Sequence, residues 1–203
     1  VVAPPAEVTV NTLFFTRRAD GDPLGDVPGE PAGTIFTRIR VPTVDGDEVG
    51  FLASIKGPDD RRATSAIIGG DPSGVLVRVG DAAPDTNGAT FLRLRDPLFP
   101  DGKFTFLATL RRNTGDPITR GNSDTGIWSE LNGPLALVAR EGGDAAGVAD
   151  GKFARFIALA SAPDSVVFLG QLRFGNGVSA RNHIGLWRHT DTGTELLMRR
   201  GDE

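Results

Sequence analysis

An all-β fold is what the sequence predicts: three tandem four-stranded antiparallel repeats of about 60 residues, propeller-blade-like, plus one spare strand. A β-trefoil-like threefold barrel is the alternative. Three observations carry the prediction. One short phrase recurs at a nearly fixed step, and three further landmarks recur in register with it. Nowhere do apolar residues recur at i, i+3, i+4 and i+7 over ten or more positions, so no helix is expected.

The phrase is clearest at Leu135–Asp144, LALVAREGGD. Val75–Asp81 reads VLVRVGD, Leu196–Asp202 reads LLMRRGD and Phe14–Asp22 reads FFTRRADGD. Each is an apolar run, an Arg, one or two intervening residues and Gly-Asp. Arg18, Arg78, Arg140 and Arg199 are separated by 60, 62 and 59 residues. The second landmark is Phe36-x-x-Ile39, Phe91-x-x-Leu94 and Phe153-x-x-Phe156. The third follows 15 residues later in every copy, as FLASI from Phe51, FLATL from Phe106 and FLGQL from Phe168. The fourth, AIIG, GIWS and GLWR, aligns Ile68 with Trp128 and Trp187.

These landmarks read as strands because they are short, rich in Val, Ile, Leu and Phe, and bounded by Gly, Asp, Asn and Pro. FLATL and FLGQL alternate large apolar with small or polar residues, which suits a sheet with a buried face. Gly69-Gly70-Asp71-Pro72, Asn132-Gly133 and Asp191-Thr192-Gly193 supply positive φ between the fourth landmark and the next Arg phrase, which predicts a hairpin there. Asp101–Phe104 and Asp150–Phe153 both read DGKF. A 49-residue period drawn from them breaks the other landmarks, so they read as turn chemistry. The repeats are placed at about 13–73, 74–134 and 135–194, in one domain over 1–203, with 195–203 as the spare strand.

Composition narrows the function classes. A net charge of −4 gives no electrostatic case for nucleic acid. No apolar run approaches the roughly 18 residues of a membrane span. With no Cys there is no disulfide framework and no thiolate nucleophile. His183 and His189 fall in the last repeat only, and no G-x-S-x-G, H-E-x-x-H or P-loop is present. Tyr is absent, and Trp128 and Trp187 occupy equivalent repeat positions, so stacking platforms for a sugar cleft are scarce. The expectation is a protein that is not an enzyme and needs no cofactor. The carboxylate runs Asp20, Asp22, Asp26 and Glu30, or Asp45, Asp47 and Glu48, raise calcium, but their spacing does not match the twelve-residue helix-loop-helix pattern and solvated turns explain them better.

The Arg and Asp of the phrase, Arg18 with Asp22, Arg78 with Asp81, Arg140 with Asp144 and Arg199 with Asp202, read as staples. An Arg fork on a nearby carboxylate can fix the place where one sheet turns into the next. Arg200-Gly201-Asp202 spells an integrin-recognition tripeptide, which the other three phrases lack. Phe36, Phe91, Phe153, Phe51, Phe106, Phe168, Ile68, Trp128 and Trp187 are the expected repeat core. The most variable connection joins the third and fourth landmarks: KGPDDRRATS, RRNTGDPITRGNSDT and RFGNGVSARNH. Insertions in repeat arrays collect in loops on one face, often the binding face. Arg111, Asn113, Asp116, Asn122, Asp124, Asn176, Arg181 and His183 are its candidate binding residues.

The combination of LALVAREGGDAAG, FLATL and SDTGIW resembles the bacterial choice-of-anchor tandem-repeat proteins, which are exported and of uncharacterised function. The resemblance covers nearly the whole chain and is closest over Phe104–Gly147. It departs before the F-L-A strand, where the family's Asn-x-x-Gly is replaced by Val44-Asp45-Gly46, Pro100-Asp101-Gly102 and Ala162-Pro163-Asp164. It implies export and repetition, and supplies no catalytic residues. The opening VVAPPAEV, with no initiator Met, also suggests a processed, secreted chain.

Three copies of most landmarks against four Arg phrases leave a strand over. Two chains closing a six-bladed ring, a threefold barrel, or a spare strand completing the next chain's sheet would each account for it. The expectation is an extracellular or cell-surface protein that self-assembles into a filament or structural subunit by strand addition through Val8–Thr16 and Glu195–Arg200. The alternative is a glycan- or protein-binding module of a larger anchored protein.

Overall fold

The computed structural model describes residues 27–45, 48–70, 73–111 and 122–202. They form three four-stranded antiparallel sheets, each a meander. The first is β1 (Ile35–Asp45), β2 (Glu48–Lys56), β3 (Thr64–Gly69) and β4 (Gly74–Arg78). The second is β5 (Thr90–Leu98), β6 (Thr105–Arg111), β7 (Thr125–Ser129) and β8 (Ala136–Arg140). The third is β9 (Phe153–Ala162), β10 (Ser165–Leu172), β11 (Ile184–Thr190) and β12 (Gly193–Arg199). Helical structure among the described residues is a single 3₁₀ turn at Pro100–Gly102. The units are blade-like. No sheet closes on itself among the described residues, which overturns the threefold barrel: every meander has two edges.

The sequence landmarks are the strands, but the unit begins elsewhere. The Arg phrase is the fourth strand of each sheet. Ile68 pairs with Val75, Trp128 with Leu137 and Trp187 with Leu196. Residues 195–203 are therefore no spare strand. Glu195 pairs with Arg188 and Arg199 with Gly185, so this segment completes the third sheet. The fourth copy of the phrase, with Arg18 and Asp22, and the segment Val8–Thr16 lie outside the described residues.

The three hairpins form where the turn sequences place them, with Gly70, Gly133 and Gly193 at φ of 84°, 122° and 124°. Each β-turn-β then carries the same irregularity. One extra residue on the fourth strand (Leu76, Val138 or Leu197) opens a bulge opposite the Ile67–Ile68, Ile127–Trp128 or Leu186–Trp187 step. The DGKF turns occupy different places: Asp101 and Gly102 lie between β5 and β6, and Asp150 and Gly151 precede β9.

The sheets pack face to face in chain order. Leu52, Ile67 and Val77 of the first sheet bury against Phe91, Phe106 and Trp128 of the second. Leu107, Ile127 and Ala139 of the second bury against Phe153, Phe168 and Trp187 of the third. Phe36, Phe51 and Ile68 form a third cluster with Val27 on the other face of the first sheet. All nine expected core residues are buried. The alternation of strand side chains explains the division, since adjacent residues such as Phe106 and Leu107 serve opposite interfaces.

Phe99 locks the first two sheets. Its ring occupies the space over Gly50 and Gly69, where a Cβ would come within 1.8 Å and 2.4 Å of it. At the second interface the equivalents of those glycines, Thr105 and Ser129, are buried and share a 2.6 Å hydroxyl hydrogen bond.

Candidate functional site

A meander places its β2–β3 type loop and the exit of its fourth strand at the same end. The variable loops and the Arg phrases are therefore neighbours. Each of the three described phrases ends in the same tight turn: Asp81, Gly143 and Asp202 donate their amides to the carbonyls of Arg78, Arg140 and Arg199 at 3.2, 3.0 and 3.1 Å. The third residue of each turn is Gly80, Gly142 or Gly201, at φ of 102°, 80° and 82°. A type II turn requires that sign of φ at its third position, so the invariant element of Arg-x-Gly is the glycine's conformation.

The repeated Arg and Asp divide their work differently in each copy. Arg199 fulfils the staple directly, its Nε and Nη2 donating to Asp202 Oδ1 at 3.1 and 3.0 Å. That contact engages the Asp of the Arg200-Gly201-Asp202 tripeptide. Arg78 instead forms its ion pair with Glu30, while Asp81 accepts the Arg78 amide at 2.8 Å. Arg140 donates to the Ser123 carbonyl at 2.7 Å, and Asp144 pairs with Lys152 at 2.5 Å. The extra glycine in LALVAREGGD explains the last case. Gly143, not Asp144, occupies the turn position of Asp81 and Asp202, so the expected Arg140–Asp144 staple is corrected.

Beyond the turn, the chain enters a connector that opens the next unit. Gly80 and Gly142 donate amides to the carbonyls of Phe91 and Phe153, each at 2.8 Å. The connectors close on themselves through Val27 to Thr34, Ala83 to Ala89 and Ala145 to Gly151 amide–carbonyl bonds at 3.0, 2.8 and 2.9 Å. Trp128 Nε1 donates to the Pro84 carbonyl at 3.1 Å and Trp187 Nε1 to the Ala146 carbonyl at 2.9 Å. Each tryptophan thus fixes the connector that leads into its own sheet, which suits a buried indole that needs an acceptor.

Of the described candidate loop residues, Asn122 and Asp124 lie together ahead of β7, and Asn176, Arg181 and His183 lie in the β10–β11 loop. Asn122 and Ser123 offer their carbonyls to Arg173 and Arg140. Asp124 hydrogen-bonds Glu141, whose carboxyl is buried with Oε2 lacking a hydrogen-bond partner among the described residues. Burial first, then the Asp124 hydrogen bond and charge, push the Glu141 carboxyl up to about 7, against the opposing pull of a Thr125 backbone hydrogen bond and the Arg173 charge. Arg111 is exposed at the end of β6, and Asn113 and Asp116 lie outside the described residues. In the β10–β11 loop, Asn176 Nδ2 reaches the Asp150 carbonyl at 3.4 Å and the Arg181 amide reaches Ser179 Oγ at 3.3 Å. His183 Nδ1 lies 3.1 Å from the Ala180 carbonyl, its ring edge-on to Phe174 at 5.2 Å.

Sequence reasoning missed Glu141 and Arg173. The available signal was at the position after the repeated Arg, where Val79 and Arg200 flank a buried acid in the middle copy. Glu141 and Asp124 are two acids acting on one another, with the single Arg173 guanidinium opposing them, which makes an acid pair rather than a cation cage. No three His, Asp or Glu side chains gather as a metal site among the described residues. Glu30, one of the calcium candidates, is occupied by Arg78.

A family model described as Family of unknown function (DUF7453) matches residues 18–203. The chain belongs to this family. The match to DUF7453 runs through all three sheets and begins at Arg18, within the first Arg phrase. No curated protein and no solved structure matches the chain. Among the described residues no helix is long and apolar enough to cross a membrane.

Proposed function

We propose that this DUF7453 chain is a non-enzymatic β-repeat module that works by association outside the cell, as a structural subunit of a filament or cell surface. The observation that carries the reading is the position of β12. Among the described residues it is an edge strand with one neighbour, and its exposed alternation offers a row of backbone groups to another chain. The resemblance to exported choice-of-anchor repeats supports the location. Strand addition at this edge is heterologous and runs on unless it closes.

The test uses the edge itself, because removing Glu195–Glu203 would strip Leu196 from the third sheet's core. Thr190 and Gly193 close the β11–β12 hairpin, so by the alternation of an antiparallel ladder Thr194 directs its amide to the open side. Thr194→Pro removes that donor at a strand edge, where proline is tolerated. The wild-type chain should show a concentration-dependent ladder of masses by light scattering, shortened in the variant. An unchanged ladder rejects addition at this edge.

A second reading, a glycan- or protein-binding module, is favoured by the polar β10–β11 loop. Asn176→Gly with Arg181→Ala preserves the φ of 50° at Asn176 and removes two candidate contacts. A glycan-array or surface-protein signal should fall at least tenfold, and an undiminished signal rejects this loop as the site.

A further inference from the structure

The two internal interfaces define what the outer face of a sheet looks like when covered. In the first sheet it presents Leu52, Ile67 and Val77, in the second Leu107, Ile127 and Ala139, and all six are buried by the following sheet. The registers Ile67–Val77, Ile127–Ala139 and Leu186–Met198 make Leu169, Leu186 and Met198 their equivalents in the third sheet. Here the same positions are open. Met198 is 64% exposed and the bulge residue Leu197 42%, with Leu169 and Leu186 half-buried. Contiguous exposed apolar surface of this kind marks an interaction site.

The rim differs from the covered faces in a way that selects the partner. Where the inner sheets carry Gly69 opposite Gly74 and Ser129 opposite Ala136, the third carries Arg188 opposite Glu195, ion-paired at 2.5 Å. Arg188 stands at the position of Gly69, over which Phe99 lies in the first sheet, and of Ser129, which is buried in the second, so an aromatic sheet packed as it is within the chain would bury that charge. The aromatic faces of all three sheets are also buried already, including Phe51 and Ile68 of the first. A second copy cannot offer one. It does offer the same open face.

We infer that the outer face of the third sheet, Leu169, Leu186, Leu197 and Met198 framed by Arg188 and Glu195, is a two-fold interface between two copies of this chain. Under a two-fold axis the apolar centre meets its own mate, and Arg188 of each copy lies across from Glu195 of the other. Sheet-on-sheet packing is the geometry the chain already uses twice. The inference rests on the reading of the chain as an associating module and names a closed contact distinct from the β12 edge.

Thr194→Pro isolates the face, because it blocks the edge and leaves the outward side chains in place. Light scattering of this variant should give twice the 21.4 kDa chain mass, and adding Met198→Glu should return it to a single chain mass with an unchanged circular-dichroism melt. Met198 is exposed enough that the second substitution does not threaten folding, and Leu169→Glu provides an independent check. A Thr194→Pro chain that is monomeric while the wild type polymerises overturns the face and leaves the edge reading standing. A Thr194→Pro dimer indifferent to Met198→Glu and Leu169→Glu overturns the face and points to another contact. A wild type that is monomeric throughout overturns both.

Discussion

At Gly126 and Gly185 the missing side chain is what admits an indole two residues later. A Cβ at Gly126 would stand 2.8 Å from the Trp128 ring, and one at Gly185 2.6 Å from the Trp187 ring. The first sheet has Ala66 and Ile68 at the same two positions, so bulk moves between them as a unit. Gly126→Ala alone should destabilise by roughly 1–3 kcal/mol through overpacking. Trp128→Ile alone should also destabilise, through a cavity and loss of the bond to the Pro84 carbonyl. The double variant, rebuilding the first sheet's pair, should be more stable than the sum of the two effects predicts by about 1 kcal/mol or more, read from denaturant midpoints in a double-mutant cycle. Strict additivity would show that ring and glycine are not coupled.

Glu141 sets a pH dependence at the same scale. Its folded carboxyl holds a proton up to about pH 7, whereas an ordinary glutamate releases it near 4.5. The folded state therefore binds the extra proton between those values. The group's contribution to stability is greatest below about pH 4.5, declines through the interval and is flat above about pH 7. Glu141→Gln replaces the buried acid with a neutral isostere and should gain roughly 1–2 kcal/mol at pH 8 while gaining little at pH 4. Equal effects at both pH values would contradict the assignment.

Among the elements, the strands and hairpins were legible in the sequence because each landmark carries its own alternation and its own turn residues. The phase of the repeat was not. A period is the same wherever counting starts, and counting from the Arg phrase detached it from the sheet to which it hydrogen-bonds. The connection lengths carry the missing information. A tight hairpin joins the fourth landmark to the Arg strand, while a longer looped connector, Gly80–Ala89 or Gly142–Gly151, separates that strand from the next Phe strand. The hairpin makes the Arg strand the last of its own sheet. The staples were half legible for a related reason: what repeats is a turn with glycine at positive φ, and the Arg side chain takes whichever acceptor lies beside it, Glu30, the Ser123 carbonyl or Asp202. Glu141 and Arg173 came together only through the fold, since the sequence places 31 residues between them.

Across the whole molecule, three meanders stacked in order leave asymmetric ends. The aromatic face of the first sheet is buried, and the aliphatic face of the third is open and charge-framed. Terminal units of repeat arrays ordinarily carry a polar outer face. The ion pair meets that expectation at one margin, and Leu169, Leu186 and Met198 depart from it over the centre. In the proposed association the third sheet is the working surface of the chain, by its β12 edge and by its face. The most direct test is the mass of the wild-type chain by light scattering across a wide concentration range. Growth above 21.4 kDa with concentration is the predicted result. One species at 21.4 kDa at every concentration would contradict it.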